Sequence, residues 1–181
     1  GKLVAITGSN GKTTTTALLG HILTGAGMKV IVAGNIGTPL IACVDDSSES
    51  TMTVLEVSSF QLEWIHSFRP DVSVLLNLTP DHLDRHESFE EYCRAKLRIF
   101  EHQTERDCAV LNADDPVLAK QSPGHPRVCW FSRTRSLPRG ASVGGGKIVF
   151  REERGETVLL ERSDIQLRGE HNVENVLAAV S

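Results

Sequence analysis

The amino-acid sequence predicts an α/β fold, in which a mostly parallel sheet with flanking helices is followed by a small antiparallel β-hairpin region near the carboxyl terminus. Over the first two-thirds of the 181 residues, short apolar runs alternate with helical stretches, which is typical of parallel strands joined by crossover helices. The apolar runs carry few polar residues, as strands covered on both faces do. A hydrophobic content of 40% and a charged content of 23% indicate one domain with its own core.

Strands and helices alternate through this first part of the chain. The predicted strands are 3–7, 29–33, 53–57, 72–76, 108–111 and 127–131, and the predicted helices are 12–25, 38–43, 59–65, 88–100 and 115–120. Ser88 followed by Glu91 resembles a capping box, which supports a helix start at that point.

The last third of the chain has a different character. Residues 132–146 are rich in Arg, Gly, Ser and Pro and are predicted to form a loop. Two apolar stretches, 147–150 and 157–161, flank a polar turn, which predicts a β-hairpin, and a further strand is predicted near 164–167. An amphipathic helix is predicted over 173–180.

Composition narrows the classes of function and partner. A net charge of −4 and a pI near 6.0 argue against a nucleic-acid partner, and no apolar run approaches the roughly 18 residues of a membrane helix. The four cysteines are scattered without metal-ligand spacing, so we expect ordinary thiols and a cytoplasmic location. We also expect a monomer. Because a strand begins at residue 3 and a helix reaches residue 181, we expect a piece of a longer polypeptide.

The first strand leads directly into a glycine-rich segment and a helix. The segment reads Gly8-Ser9-Asn10-Gly11-Lys12-Thr13-Thr14. Glycines let backbone N–H groups face phosphate oxygens, and a helix amino terminus adds partial positive charge. Lys12 can reach the β and γ phosphates, and the Thr13 hydroxyl can bind magnesium. The general phosphate-loop motif has a glycine where this chain has Ile6, so a glycine-rich turn with an exposed lysine remains the alternative.

Polar residues also follow the other predicted strands. Asn35 follows the second strand, Glu56 and Ser58 lie at the end of the third, and the segment 77–86 follows the fourth. Ligands bind beyond the carboxyl ends of strands in open parallel sheets. Burying Glu56 among apolar neighbours is costly without a cation, and magnesium beside nucleotide phosphates would supply one. The alternative is an edge-strand glutamate in water or in a local ion pair.

Two features stay ambiguous from the residues alone. The segment 81–86, Asp-His-Leu-Asp-Arg-His, can bind a metal or form a polar loop, although the usual zinc spacing is absent. Lys96 lies on a helix whose solvated face can easily carry a lysine, so the pattern predicts a surface charge there.

The motifs together resemble those of the Mur ligases. The phosphate loop, Gly-Asn-Ile-Gly at 34–37, Glu-Val-Ser-Ser-Phe-Gln-Leu-Glu at 56–63, Asn-Leu-Thr-Pro-Asp-His-Leu-Asp-Arg at 77–85, Ala-Lys-Leu-Arg-Ile at 95–99 and Gly-Glu-His-Asn-Val-Glu-Asn at 169–175 occur in the family's order. The loop is also similar to that of folylpolyglutamate synthetases. The 58–63 string resembles the members that add D-glutamate to UDP-N-acetylmuramoyl-L-alanine.

This resemblance implies a P-loop ATPase-like fold and a three-domain enzyme in which 1–181 is the central ATP-binding domain. An amino-terminal domain for the UDP-sugar and a carboxy-terminal domain for the amino acid would lie outside the chain. It implies ATP and two Mg²⁺ ions as cofactors, and UDP-N-acetylmuramoyl-L-alanine and D-glutamate as partners. The acceptor carboxylate would attack the γ-phosphate, and the amine of D-glutamate would attack the resulting acyl phosphate.

The resemblance also assigns roles to individual residues. Thr13 and Glu56 match ligands of the first magnesium, His82 matches a ligand of the second, and Lys96 matches a lysine carbamylated by carbon dioxide. Lys12, His82 and Lys96 are thereby implied as catalytic, and Gly8, Ser9, Asn10, Gly11, Lys12, Thr13 and Thr14 as nucleotide-binding. Asn35, Ser58 and His82 match positions near the acceptor substrate, and Asn172 and Asn175 match residues near the adenine. Asn172 can alternatively be the N-cap of the last helix.

Three other functions fit parts of the pattern. Another ligase of the Mur or folylpolyglutamate synthetase type would share the loop but not the 58–63 string. A nucleotide-binding regulatory module or a P-loop kinase would share the loop without using D-glutamate. A purely structural α/β domain would leave unexplained why Lys12, Glu56 and His82 all lie at predicted strand ends.

Overall fold

The computed structural model describes residues 1–81 and 85–181, and in these residues nine strands form one sheet. The strands are β1 (Lys2–Thr7), β2 (Lys29–Gly34), β3 (Thr51–Glu56), β4 (Val72–Leu75), β5 (Cys108–Asn112), β6 (Arg127–Ser132), β7 (Gly140–Gly144), β8 (Lys147–Glu152) and β9 (Gly155–Glu161). The α-helices are α1 (Lys12–Gly25), α2 (Ser59–Leu62), α3 (Phe89–Leu97) and α4 (Glu170–Val180). Short 3-10 helices cover Leu40–Asp46, Arg98–Phe100, Leu118–Lys120 and Arg162–Asp164.

The sheet order is β2-β3-β1-β4-β5-β6-β7-β8-β9. Strand pairing is parallel from β2 to β7 and antiparallel between β7, β8 and β9. The predicted fold class, a mostly parallel sheet with an antiparallel hairpin region near the carboxyl terminus, is therefore confirmed. Because β1 has β3 on one side and β4 on the other, the order of connections reverses at β1, where an open α/β sheet forms its ligand crevice.

Apolar residues on the two faces of the sheet form two cores. On one face the strands pack against α2 and α3, through Leu62, Tyr92 and Cys93 among others. On the other face they pack against α1 and α4, through Leu19, Leu177 and Ala178 among others. Helices on both faces explain why the central strands read as apolar runs rather than as alternating patterns.

Several predicted elements differ from the structure. Residues 140–144 lie in the predicted loop but form β7, which pairs with β6 at Phe131–Ala141 and Ser132–Ser142. The strand predicted near 164–167 is wrong, since the 3-10 helix Arg162–Asp164 ends there and no strand follows before α4. The predicted helices 38–43 and 115–120 are 3-10 helices, and α2 ends at Leu62, short of 65.

Helix α3 begins where the capping pattern placed it. Ser88 is the N-cap, and its Oγ accepts a hydrogen bond from the Glu91 amide at 3.1 Å. The Glu91 carboxylate, however, accepts from the Glu87 amide at 2.7 Å, so only half of the predicted box forms. All four cysteines are free thiols. Among the described residues, no helix is both long and apolar enough to cross a bilayer.

Candidate functional site

The carboxyl ends of β1, β3 and β4 meet at one edge of the sheet and place three loops together. Ile6 of β1 is paired with Glu56 of β3 and with Val74 of β4. Ile6 is fully buried inside the strand, which explains the missing glycine of the general motif: the turn starts only after Thr7. The phosphate loop is therefore the short segment 8–11 between β1 and α1.

Gly11 closes this loop in a conformation that a side chain would disturb. Its φ is +85°, in the left-handed region. A Cβ built on Gly11 would lie 2.3 Å from Asn175 Oδ1, so α4 approaches the loop backbone closely. Gly11 thus has two independent reasons to lack a side chain.

The loop backbone is held in place by residues of the segment after β4 and by α3. The Ser9 amide donates to the Asn77 carbonyl at 3.0 Å, and the Asn10 amide donates to Asn77 Oδ1 at 2.8 Å. The Ser9 hydroxyl lies 2.9 Å from the Tyr92 hydroxyl and accepts from the Thr79 amide at 3.0 Å. The N–H groups of Ser9 and Asn10 therefore already have protein acceptors.

The first turn of α1 supplies the remaining N–H groups of the site. Lys12, Thr13 and Thr14 open the helix, where the amides have no acceptor within the helix itself. These amides and the positive end of the helix dipole form an anion-binding edge. The Lys12 ammonium lies beside them and donates to the carbonyls of Gly8 and Ser9 at 2.9 and 3.0 Å.

Lys96 is not the surface charge that its helix pattern predicts. Its side chain is 1% exposed, and its Nζ donates to the Gly8 carbonyl at 2.9 Å and lies 3.4 Å from Thr7 Oγ1. The ammonium also lies 4.9 Å from the centre of the Tyr92 ring. The pattern failed here because α3 packs its lysine-bearing face against the phosphate loop, which a helical period alone does not reveal.

The surroundings of Lys96 favour the neutral amine. Burial, followed by the nearby Lys12 charge, lowers the pKa of Lys96 to about 7. Desolvation disfavours the ammonium, and a second cation on the same carbonyl adds repulsion. A lysine with a free lone pair near neutral pH can act as a nucleophile.

Glu56 provides the buried carboxylate of the site. It is 2% exposed at the end of β3, and β3 lies between β2 and β1, so the alternative of an edge-strand glutamate in water is wrong. Thr13 donates its hydroxyl to Glu56 Oε2 at 2.9 Å, and Asn35 donates its amide to Oε1 at 3.3 Å. The structure thus brings Thr13, Asn35 and Glu56 into one cluster.

Ser58 starts α2, two residues after Glu56. Its hydroxyl accepts from the Gln61 amide at 3.3 Å, while its own amide donates to Gln61 Oε1 at 2.9 Å, which completes a capping box. Its neighbour Ser59 contacts His86 Nε2 at 3.1 Å, and His86 is buried against Phe60 and Tyr92. His82, to which the family resemblance assigned catalytic, metal and substrate roles, lies outside the described residues.

A cavity of about 500 Å³ adjoins the phosphate loop on the α4 side. Asn10, Gly11 and Asn77 line it together with Asn175. Asn175 accepts from the Thr15 hydroxyl at 3.3 Å and donates to Asn172 Oδ1 at 3.0 Å, so both predicted asparagines share one polar group.

The suggested N-cap role of Asn172 is wrong. Helix α4 already begins at Glu170, with Gly169 in the cap position. Asn172 therefore lies inside the first turn, where its amide donates to the Arg168 carbonyl at 2.7 Å.

Two residues that hold the site together, Asn77 and Tyr92, had no role in the sequence-based predictions. Asn77 holds the loop backbone, and Tyr92 links the loop to Lys96. Asn77 could have been predicted, because it directly follows the end of a predicted strand. Tyr92 could not, since a tyrosine buried on a helix is a common residue of a hydrophobic core.

Comparison with known proteins places this geometry in a family. Residues 6–181 match the model of the Mur ligase middle domain. The UDP-N-acetylmuramoylalanine–D-glutamate ligase of Koribacter versatilis is 52% identical over 99% of this chain and 40% of its own length. The enzyme of that name from Acidobacterium capsulatum is 55% identical over 99% and 40%.

Solved structures give the same result. A UDP-N-acetylmuramoyl-L-alanyl-D-glutamate–2,6-diaminopimelate ligase matches with a TM-score of 0.73 and 25% identity over 99% of this chain and 42% of its own. The MurF ligase of Thermotoga maritima, solved in complex with ADP, matches with a TM-score of 0.71 and 25% identity over 99% and 44%. The chain spans about 40% of the length of the curated relatives. It belongs to the Mur ligase middle-domain family.

Proposed function

We propose that this chain is the ATP-binding domain of a ligase that joins D-glutamate to UDP-N-acetylmuramoyl-L-alanine in peptidoglycan biosynthesis. The names of relatives about 50% identical to it support the choice of substrates, and a structural neighbour crystallised with ADP supports the nucleotide. The observation that carries the proposal is the buried Glu56 carboxylate, which accepts from Thr13 of the phosphate-loop helix.

The match to the Mur ligase middle-domain model and the share of the relatives that the chain covers support the domain assignment. Residues 1–181 are the central domain in this proposal, and the sites for the UDP-sugar and for the incoming amino acid belong mainly to other domains. We therefore expect the chain alone to bind nucleotide and to form no amide product.

The donor set at Glu56 fits magnesium. Mg²⁺ in nucleotide sites is held by one or two carboxylates, a hydroxyl, waters and phosphate oxygens rather than by a protein cage. Among residues 1–81 and 85–181, no three His, Cys, Asp or Glu side chains form a metal cluster, whereas Glu56 and Thr13 offer one carboxylate and one hydroxyl. Bound there, magnesium would reduce the negative charge of the phosphates.

The first proposed step transfers the γ-phosphoryl group. An oxygen of the L-alanine carboxylate forms a bond to the γ-phosphorus as the bond to the β–γ bridging oxygen breaks, and ADP leaves. The protein must bring two anions together, and Lys12 with the first-turn amides of α1 supplies the positive charge that offsets their repulsion. Phosphate oxygens are stronger acceptors than the two carbonyls that now bind Lys12.

The second proposed step forms the amide. The neutral amine of D-glutamate attacks the acyl carbon, the bond to the phosphate oxygen breaks, inorganic phosphate leaves and the nitrogen loses its proton. Asn35, which donates to Glu56, and Ser58, two residues after Glu56, are assigned to the acceptor end of the first substrate. Asn172 and Asn175 at the cavity beside the loop are assigned to the adenine edge.

Lys96 is assigned as the carbamate site, with His82 as its partner for a second magnesium. Carbamylation needs a neutral amine whose lone pair forms a bond to the carbon of CO2 and whose proton is then released. The lowered pKa of Lys96 supports this assignment because the neutral amine is well populated near pH 7 to 8. The modified side chain would carry a negative charge at the place where the ammonium now lies.

Calorimetry with a non-hydrolysable ATP analogue and Mg²⁺ tests the nucleotide part. We expect binding by the unmutated chain, about 10- to 100-fold weaker binding by Lys12→Ala, since a charge-assisted hydrogen bond contributes about 1.5–3 kcal/mol, and no change in Lys29→Ala, an exposed lysine on β2. Equal affinity of Lys12→Ala and the unmutated chain would refute the phosphate-loop assignment. Full-length enzyme assayed with UDP-N-acetylmuramoyl-L-alanine and D-glutamate tests the substrates, and absence of the amide product would refute them.

A further inference from the structure

The Arg98 side chain donates hydrogen bonds to three backbone carbonyls. Its Nη1 donates to the carbonyls of Leu62 and Glu63 at 3.0 and 2.6 Å, and its Nη2 donates to the Ile65 carbonyl at 3.0 Å. Its Nε donates to Glu101 at 2.6 Å. Leu62 is the last residue of α2, Glu63 is its C-cap and Ile65 follows two residues later. The guanidinium of Arg98, which directly follows α3 in the chain, therefore caps the carboxyl-terminal end of α2 and binds the turn after it.

Helix α2 needs such a cap because it is a single turn. Its four residues, Ser59–Leu62, are far below the roughly 12–15 residues at which an isolated helix becomes even marginally stable. The capping box of Ser58 and Gln61 closes its amino terminus. The last carbonyls of a helix have no partner within it, and here Arg98 supplies the donors.

The location of this contact connects two parts of the site. Helix α2 begins three residues after Glu56, and Arg98 follows Lys96 by two residues in one continuous helical run. A planar guanidinium that donates to three carbonyls fixes distance and orientation together, which a lysine cannot do. The direction in which the chain leaves Glu56, and with it the place of Ser58 relative to Lys96, therefore depends on how α2 and α3 are held against each other.

A second contact between α2 and α3 lies nearer the phosphate loop. His86 Nε2 is 3.1 Å from Ser59 Oγ, and its ring meets the Tyr92 ring edge-on at 5.3 Å. This contact joins the amino-terminal end of α2 to α3. His86 Nδ1 also lies 3.5 Å from Glu63 Oε1, just beyond α2. Arg98 is the side chain that binds the carbonyls at this end, so its removal should loosen the end of α2 while the helix stays attached.

We propose that Arg98 is a positioning residue of the nucleotide and metal site, which sets Glu56 and Ser58 relative to Lys96 by holding α2 on α3. The inference rests on the proposed function, because it concerns the same site. Arg98 itself contacts neither the phosphate loop nor Glu56 in the hydrogen bonds described, so its effect on the site is indirect.

Arg69 offers a matched control. It also uses its guanidinium as a fork, with Nε and Nη2 donating to Asp107 at 2.8 and 3.1 Å. It precedes β4, and Asp107 precedes β5, so this pair lies at the amino ends of the strands, opposite the candidate site. A substitution of Arg69 therefore measures the effect of removing the cation that pairs with the buried Asp107 carboxylate, and it removes no contact with α2.

The experiment compares Arg98→Met, Arg98→Lys and Arg69→Met with the unmutated chain. Hydrogen–deuterium exchange is measured by peptide, and binding of a non-hydrolysable ATP analogue is titrated with Mg²⁺. We expect Arg98→Met to raise amide exchange over 58–66 at least tenfold and to raise the Mg²⁺ concentration for half-maximal nucleotide binding at least fivefold. Arg98→Lys should fall between, and Arg69→Met should change neither quantity.

Unchanged exchange over 58–66 in Arg98→Met would overturn the inference, as would faster exchange with an unchanged Mg²⁺ requirement. An equal shift in Arg69→Met would also overturn it, because the effect would then be general destabilisation. If the unmutated chain binds no nucleotide, that measurement counts against the proposed function, and exchange over 58–66 still decides whether Arg98 holds α2.

Discussion

Replacing Lys96 by methionine should change how the free energy of unfolding depends on pH. The pKa of Lys96 is about 7 in the folded chain and near 10.4 when the chain is unfolded. Below pH 7 both states hold the proton, and the folded state bears the full cost of a buried ammonium. Between pH 7 and 10.4 only the unfolded state holds it, so stability rises with pH. The methionine variant lacks this rise.

The size of the effect follows from the width of that window. Each pH unit inside it contributes about 1.4 kcal/mol, so raising the pH from 7.5 to 9.5 should stabilise the unmutated chain by about 2–3 kcal/mol relative to Lys96→Met. At about 2–4 °C per kcal/mol for a domain of this size, the difference in Tm should change by about 4–12 °C. Urea unfolding and thermal melts in CO2-free buffer measure both quantities.

Lys120→Met serves as the control, because Lys120 is exposed and its removal should not alter the pH dependence. A difference in the free energy of unfolding between the unmutated chain and Lys96→Met that stays constant from pH 7.5 to 9.5 would refute the burial argument.

A second experiment adds bicarbonate at pH 8. It should stabilise the unmutated chain alone, since a modification that occurs only in the folded state raises its stability by mass action. Equal stabilisation of Lys96→Met would refute the carbamate assignment.

Three further substitutions test other parts of the structure. Gly11→Ala should lower the free energy of unfolding by at least about 2 kcal/mol, from the left-handed φ and the contact with Asn175, and should abolish nucleotide binding in calorimetry. Glu56→Gln should raise the Mg²⁺ concentration needed for nucleotide binding about tenfold without lowering the Tm in metal-free buffer, since it removes a buried charge and keeps an acceptor for Thr13. Asp107→Asn should weaken the pH dependence of the free energy of unfolding in acid, because the hydrogen bond from Arg69 lowers the pKa of Asp107 to about 2. In equilibrium unfolding between pH 4 and pH 2, the unmutated chain should therefore lose more stability than the variant as the pH falls.

The sequence predicted the first six strands closely because each is an apolar run, and the central ones, β1, β3, β4 and β5, are largely buried between the helices on the two faces of the sheet. The strand β7 was missed for a physical reason. It runs from Gly140 to Gly144 with Ser142 in its centre, and it pairs with β6 at only two positions. Its longer ladder is the antiparallel hairpin with β8, but three of its five residues are Gly or Ser, which are not the β-branched and aromatic residues by which a strand is recognised.

The site shows a division between what local sequence encodes and what depends on contacts between distant residues. The phosphate loop and Glu56 could be predicted because a strand, a turn and a helix in sequence determine where a strand end points. Lys96 could not, since the helical period says which residues share a face and leaves open what that face meets. The role of Arg98 depends on three carbonyls more than thirty residues away in sequence, and no local pattern contains them.

Lys12 and Lys96 share one acceptor, and this is a physical reason to expect that the loop favours an anion. Both ammonium groups donate to the Gly8 carbonyl at 2.9 Å, and the Lys12 charge is the second-largest reason for the lowered pKa of Lys96. Two cations on one neutral oxygen repel each other, and a phosphate that draws Lys12 away relieves this repulsion. It follows that Lys12→Ala should raise the pKa of Lys96 and move the pH window of its stability effect upward. If the window stays in place, burial alone sets that pKa, and the two lysines act independently.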